Sequence, residues 1–316
     1  MEGGWERLQA EVLGLYEERR YGDALGLVRR EAPRHPTRAA RLSYWEACLL
    51  CRSGHPDQAV AALRRASDLG LWWSEFVWED EDLRPILDHP DVIAIREESE
   101  RLRGHAVSRT AQRPRVKIMP SAGPPWALVV VLHMYGGDPE ATATHWRDLP
   151  EAGIAVVLPE STQLGMDATP SWDDPRRSER DVRLAFRQAT EELGRHAPLI
   201  LAGASQGAQR AMQLAFRELP AAAAAFIAIV PAVPDPDELG ELAAGSARRD
   251  IRGWLITGDR DPGRAEVLRL HHTLTRCGVR CRLDDFPGLG HEYPPDFGTR
   301  ARAMLDFLLT PRADGQ

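Results

Sequence analysis

The sequence predicts an α/β chain in two parts: an all-α front of helical hairpins, then a larger domain with a mostly parallel sheet covered by helices on both faces. Three observations carry this. Over residues 5 to 103, apolar residues recur at the three- and four-residue spacing of amphipathic helices. From about residue 115 onward, short continuous apolar runs alternate with helical stretches, the pattern of buried parallel strands joined by right-handed crossovers. One of those runs, Leu199 to Ala202, leads through Gly203-Ala204-Ser205-Gln206-Gly207 into a helix-compatible stretch ending near Arg217. A serine between two glycines at a sharp strand-to-helix turn stands clear of the sheet, and the glycines remove Cβ atoms that would collide there.

A chain of 316 residues is long enough for two moderate domains, each with its own core. With 43% hydrophobic and 28% charged residues the composition is that of an ordinary globular protein. The formal net charge of -7 argues against a nucleic-acid partner, which needs a basic face. No apolar run reaches the length of a membrane span, and the longest, Ala221 to Val233, contains Pro231. The N-terminus lacks the basic and apolar segments of a secretory signal, so a cytoplasmic location is expected. The cysteines fall as Cys48-x-x-Cys51 and Cys277-x-x-x-Cys281, two pairs that suit a zinc site in spacing. Because Cys48 and Cys51 sit inside a helical pattern with no knuckle glycine, they read instead as buried thiols. Neither metal nor cofactor is expected.

In the front part, Leu8, Val12, Leu15 and Tyr16 mark one helix, and Ala24, Leu25, Leu27 and Val28 the next. Pro33 and Pro36 close this unit. The pattern then recurs, with Tyr44, Ala47, Leu50 and Cys51, a break at Gly54-His55-Pro56, and Ala59, Val60, Leu63 and Ala66. Superposing Ala24-Leu25 on Ala59-Val60 gives an offset of 35 residues. This front part, residues 1 to 104, resembles tetratricopeptide repeats, whose hairpins recur about every 34 residues. The resemblance rests on Arg20-Tyr21-Gly22-Asp23-Ala24-Leu25, on Gly54-His55-Pro56-Asp57-Gln58-Ala59-Val60, and on Pro36. It departs at Arg19, where a turn glycine is usual, and at Leu71, where proline is expected. Trp72, Trp73 and Trp78 lie in a following stretch that reads as capping helices, their rings expected in that core rather than on a recognition surface. Two hairpins are too few to stand alone, so the front part is expected to pack against the rest of the chain, and a protein partner docking on it is the alternative use.

The second domain, residues 105 to 316, is expected to run through strands near Val116–Ile118, 126–132, 154–158, 199–202, 224–230, 253–257 and 279–286. Helices are expected at Ser178–Arg195, after Ser205, at Asp237–Ala247, at Arg264–Cys277 and at Phe297–Leu309. Parallel sheets of this kind present their chemistry at the carboxyl ends of the strands. At those ends stand the residues able to do acyl chemistry. Ser205 is the candidate nucleophile. His133-Met134-Tyr135-Gly136-Gly137 follows the strand at 126–132 and supplies an N–H, from Tyr135 or Met134, that joins the N–H of Gln206 as an oxyanion hole. His133 itself precedes the nucleophile and reads as a residue bracing the loop and pocket. Gly258-Asp259-Arg260-Asp261-Pro262 offers two acids; Asp261, further into the loop, is the one able to turn toward a histidine, and Asp259 reads as a brace of the turn. Pro287-Gly288-Leu289-Gly290-His291-Glu292 brings His291, whose ordinary pKa suits a general base. The long connection from Glu160 to Arg177 reads as a lid or substrate wall, with Trp172 lining the pocket.

These residues carry a resemblance to the phospholipase/carboxylesterase branch of the α/β-hydrolases, which includes acyl-protein thioesterases. It rests on Leu132-His133 with Gly136, Pro159-Glu160, Ser171-Trp172-Asp173, Gly203-Ala204-Ser205-Gln206-Gly207, Gly258 with Asp261, and Gly290-His291-Glu292 with Pro294. The resemblance implies hydrolysis of a small-molecule carboxylic ester or thioester without a metal. It also implies the chain order Ser205, Asp261, His291 and a role for the Gln206 N–H in the oxyanion hole. One departure stands at Met134, where glycine is usual, and its side chain is expected to narrow the acyl pocket. A serine peptidase of the same fold, and an interaction protein that uses the hydrolase domain as a scaffold, are the rival readings.

Overall fold

The computed structural model describes residues 2–110, 113–194, 198–247 and 250–309. They form two compact units, one built from the chain up to Thr110 together with Leu164–Thr169, the other from the remainder. Among the described residues, no helix is long and apolar enough to cross a membrane.

In the helical unit, α1 (Glu2–Glu17), α2 (Tyr21–Glu31), α3 (Ala39–Arg52), α4 (Pro56–Asp68) and α5 (Pro90–Ser108) each pack on the next. The predicted stripes meet: Leu8 and Val12 of α1, Leu27 and Val28 of α2, and Leu42 and Leu49 of α3 form one cluster. Pro33 and Pro36 fall in two single 3-10 turns between α2 and α3, where a missing N–H costs nothing. Both hairpin turns close the same way. Arg19 (φ +57°) and Gly54 (φ +79°) take the left-handed conformation. The N–H groups of Arg20 and His55 then donate back to Leu15 and Leu50 at 2.9 and 2.8 Å, each a Schellman closure. Trp73 and Trp78 are buried edge to face, with Trp73 Nε1 donating to Ala40 O at 2.8 Å, while Trp72 is half-buried. Cys48 is buried beside Asp80, and burial pushes its thiol well above the usual range; Cys51 is pushed up to about 11 for the same reason.

Leu164–Thr169 joins this unit through Asp167. Its carboxylate accepts the Ala40 and Arg41 N–H groups at 2.7 and 3.3 Å, in the first turn of α3. The residue at the α3 N-cap position, Arg38, makes no capping bond of its own, so the cap comes from far along the chain. Asp167 and Ala168 are both left-handed, with φ of +56° and +53°.

The α/β unit contains β1 (Val116–Met119), β2 (Ala127–Leu132), α6 (Pro139–Trp146), β3 (Ile154–Pro159), β4 (Gln163–Leu164), β5 (Pro170–Ser171) and α7 (Pro175–Leu193), then β6 (Leu199–Ala204) and α8 (Gln206–Phe216). After these come β7 (Ala225–Ile229), α9 (Pro236–Gly245), β8 (Arg252–Gly258), α10 (Arg264–Arg276), β9 (Arg280–Phe286) and α11 (Phe297–Leu309). Arg195, the expected end of the helix that is α7, lies outside the described residues. The main sheet runs β1-β3-β2-β6-β7-β8-β9. All its pairings are parallel except β1 with β3, where Val116 faces Pro159 and Met119 faces Val156. Alternate residues of each central strand serve opposite faces. Leu128, Val130 and Leu132 join α7, α8, α9 and α10 in one core layer, while Ala127, Val129 and Val131 join α6 and α11 in the other. β6 sits at the middle of the sheet, which places the turn after it at the centre of the carboxyl edge.

Candidate active site

The turn after β6 is tight because a helix must start almost on top of the strand it leaves. A Cβ on Gly203 would lie 2.5 Å from the carbonyl carbon of Gly207, and one on Gly207 would lie 2.4 Å from the carbonyl oxygens of both Leu132 and His133. Only glycine lets α8 come this close to β6 and to the end of β2. Between them Ser205 is held at φ +54°, ψ -122°, an angle pair costly for a residue with a side chain. Its backbone is fixed on both sides: the N–H donates to Ile229 O at 2.9 Å, and its carbonyl accepts Ala208, Gln209 and Ala232 N–H groups. The hydroxyl thus stands at the sheet edge, at the positive end of α8.

The loop after β9 folds back over β8. Gly258 makes room for it, since a Cβ there would lie 2.4 Å from both Cβ and O of Leu289. Arg260 N–H donates to Leu289 O at 3.1 Å, and Gly288 N–H, at φ +76°, donates to Asp259 Oδ1 at 2.7 Å. Asp259 therefore braces the loop. Asp261 is buried, its Oδ2 accepting Thr257 Oγ1 at 3.1 Å and its Oδ1 accepting Gly263 N–H at 3.1 Å. His291 Nδ1 lies 2.9 Å from that Oδ1, and its Nε2 lies 2.8 Å from Ser205 Oγ. A carboxylate only accepts, so Nδ1 carries the proton and Nε2 presents its lone pair to the serine hydroxyl. The three residues predicted from three separate strand ends form one hydrogen-bonded row.

His133 braces its loop and takes no place in the pocket wall. It is buried, its Nδ1 donating to Met134 O at 2.8 Å and its Nε2 accepting Ser161 N–H at 3.1 Å. Burial lowers its pKa to about 4, so the ring is neutral and fully used as a brace. Trp172 is fully buried as well. Its Nε1 donates to His133 O at 2.9 Å and its ring lies against the imidazole, 4.9 Å between centroids. Neither side chain is a pocket wall, because both are sealed from solvent. Met134 is partly buried and packs on the core layer of α6 and α11.

Sequence reasoning missed Thr257, Arg210 and the side-chain role of Gln206. Thr257, the last residue but one of β8, holds Asp261. Gln206 uses its side chain as well as its backbone: Oε1 accepts Trp172 N–H at 2.8 Å and Nε2 donates to Asp173 Oδ1 at 2.7 Å. Arg210, one turn further along α8, is buried and donates to Trp172 O at 3.0 Å and Asp173 O at 3.1 Å. Gln206 and Arg210 stand four residues apart on one helix face, the signal that was available.

No protein-family model and no curated protein sequence matches the chain. Solved structures do. An uncharacterized protein from Bacillus cereus ATCC 10987 is similar at 19% identity and a TM-score of 0.54, over 96% of this chain and 98% of that one. A highly thermostable carboxyl esterase from Bacillus coagulans is similar at 14% identity and a TM-score of 0.52, over 63% of this chain and 94% of that one. At such identities the likeness is one of architecture, and with the sheet order and crossovers described above it shows that the chain carries the α/β-hydrolase fold, preceded by a helical region.

Proposed function

We propose that the chain is a serine esterase acting on small carboxylic esters or thioesters. The observation that carries this reading is the row Ser205 Oγ, His291 Nε2, His291 Nδ1, Asp261 Oδ1, with bonds of 2.8 and 2.9 Å, built on a serine held at positive φ. In the proposed reaction Ser205 Oγ attacks the acyl carbon while its proton passes to His291 Nε2. The imidazolium that forms is stabilised by Asp261. Collapse of the tetrahedral species returns the proton to the leaving alcohol or thiol, and water, activated by His291, then hydrolyses the acyl-serine. The negative oxygen is assigned to the Gln206 N–H, at the first position of α8, and to the N–H of Tyr135 or Met134. Gly136 and Gly137 N–H groups are engaged by Pro170 O and Met134 O at 2.8 and 2.9 Å, which folds this loop tightly beside Ser205.

A fluorophosphonate probe and short p-nitrophenyl esters test the reading. The chain should be labelled and should hydrolyse the esters, and Ser205→Ala should abolish both. Labelling and turnover that survive the substitution would overturn it.

The helical unit is read as tetratricopeptide-like, supported by consecutive helix packing and by the matched Schellman turns at Arg19 and Gly54.

A further inference from the structure

We infer that Asp173 and Arg210 are positioning residues that set the spacing of the two oxyanion donors, acting through the segment Pro170–Asp173. This rests on the esterase reading above. The donors belong to different elements, the loop after β2 and the first turn of α8, which meet at Gly207 and are tied a second time through one further segment. The segment Pro170–Asp173 touches both. Pro170 O accepts Gly136 N–H at 2.8 Å, and Trp172 Nε1 donates to His133 O at 2.9 Å, which ties it to the first loop. Trp172 N–H and the Asp173 carboxylate grip the two ends of the Gln206 amide at 2.8 and 2.7 Å, which ties it to the residue that follows the nucleophile.

The amide orientation is settled by its partners, because a backbone N–H can only donate and a carboxylate can only accept. Asp173 is itself held, Oδ2 accepting Ser171 Oγ at 3.0 Å. Arg210 fastens the strut from below. It is buried, and its guanidinium spans the carbonyls of Trp172 and Asp173 with Gln213 Oε1 as a further acceptor. A buried cation beside a carboxylate is a costly arrangement when either partner is removed, and here each of its bonds falls on the strut or on α8. A donor displaced by even a fraction of an ångström from the developing oxyanion loses much of its effect, so this strut acts on the transition state and leaves ground-state binding alone.

The test uses the full chain. Gln206→Glu keeps the backbone N–H and the bond from Trp172 but sets a carboxylate against Asp173. It should lower kcat and the fluorophosphonate labelling rate of Ser205 about ten- to hundredfold with KM unchanged. Adding Asp173→Asn reverses donor and acceptor, so that the amide introduced at position 173 donates to the carboxylate introduced at position 206. The double variant should recover both rates to within about threefold of the parent, since the bonds at both ends of residue 206 are kept with one polarity reversed. Gln206→Met, isosteric and without either bond, serves where Gln206→Glu does not fold. Amide hydrogen exchange at Gly136 gives a readout independent of turnover: it should quicken in the single variants and recover in the double. Parental kcat and exchange in both single variants, a loss that appears in KM, or a double variant no better than Gln206→Glu would each overturn the strut. A parent chain that is never labelled at Ser205 would instead overturn the esterase reading, and the Gly136 exchange would still decide whether the strut exists.

Discussion

Arg19 and Gly54 occupy the same place in successive hairpins, each the left-handed residue of a Schellman turn, but only one of them is glycine. An L side chain pays about 1 kcal/mol to stand there. Arg19→Gly is therefore expected to raise the unfolding free energy by about 1 kcal/mol, and Gly54→Ala to lower it by a similar amount. Urea denaturation of the two variants beside the parent measures both shifts.

The two acids of the loop after β8 divide their labour, and substitution separates them. Asp261→Asn removes the acceptor that fixes the imidazole tautomer and is expected to lower kcat by about 10⁴. Asp259→Ala loses only the bond from Gly288 N–H, so it should cost about 1 kcal/mol of stability and leave kcat within about threefold. Steady-state kinetics on one p-nitrophenyl ester and a melting curve for each variant check the division.

His133 gives the fold a pH dependence of predictable sign. Its pKa is lowered to about 4 by burial, against about 6.5 in the unfolded chain. Between these values the unfolded state binds the extra proton, so stability falls as pH drops from about 6.5 towards 4, by about 3 kcal/mol in all. Above pH 7 the residue contributes no slope. Denaturation midpoints measured across that range should show the decline, and His133→Gln should flatten it.

Glycines in this chain divide by what surrounds them. Gly207 faces two backbone carbonyls that cannot yield, so Gly207→Ala should cost about 3 kcal/mol or more and leave little folded protein. Gly26 is exposed in the middle of α2 with nothing within 4 Å of its added Cβ. Gly26→Ala should stabilise by about 0.5 to 1 kcal/mol. Soluble yield and thermal midpoints of the pair provide the comparison.

The central strands were legible in the sequence because a strand buried on both faces must be a continuous apolar run, and 127–132, 154–158 and 199–202 are that and nothing else. Ser205 and Asp261 were legible because each follows such a run, and His291 because a glycine-rich loop carries it past the end of a further strand, all of which the parallel topology turns into neighbourhood. The edge strand β1 showed only Val116 and Ile118, and its antiparallel sense depends on a pairing that short runs do not specify. Trp172, and the pocket role of His133, were misplaced for a related reason. A residue at a strand end is near the site by topology, but whether it faces substrate or is sealed beneath it depends on how several loops converge, and local pattern carries no record of that. The side-chain roles of Gln206, Asp173 and Arg210 were hidden in the same way, since each bond joins segments more than thirty positions apart.

Asp167 gives the chain a particular kind of indivisibility. The helical unit takes its α3 cap from a loop that the α/β unit's own sequence encodes, between β4 and β5. A cut after residue 110 would therefore not separate two modules cleanly. It would strand a partly buried carboxylate, raised by desolvation, together with two adjacent left-handed residues that have lost what held them. Exchange of the helical front for another requires exchange of Leu164–Thr169 with it.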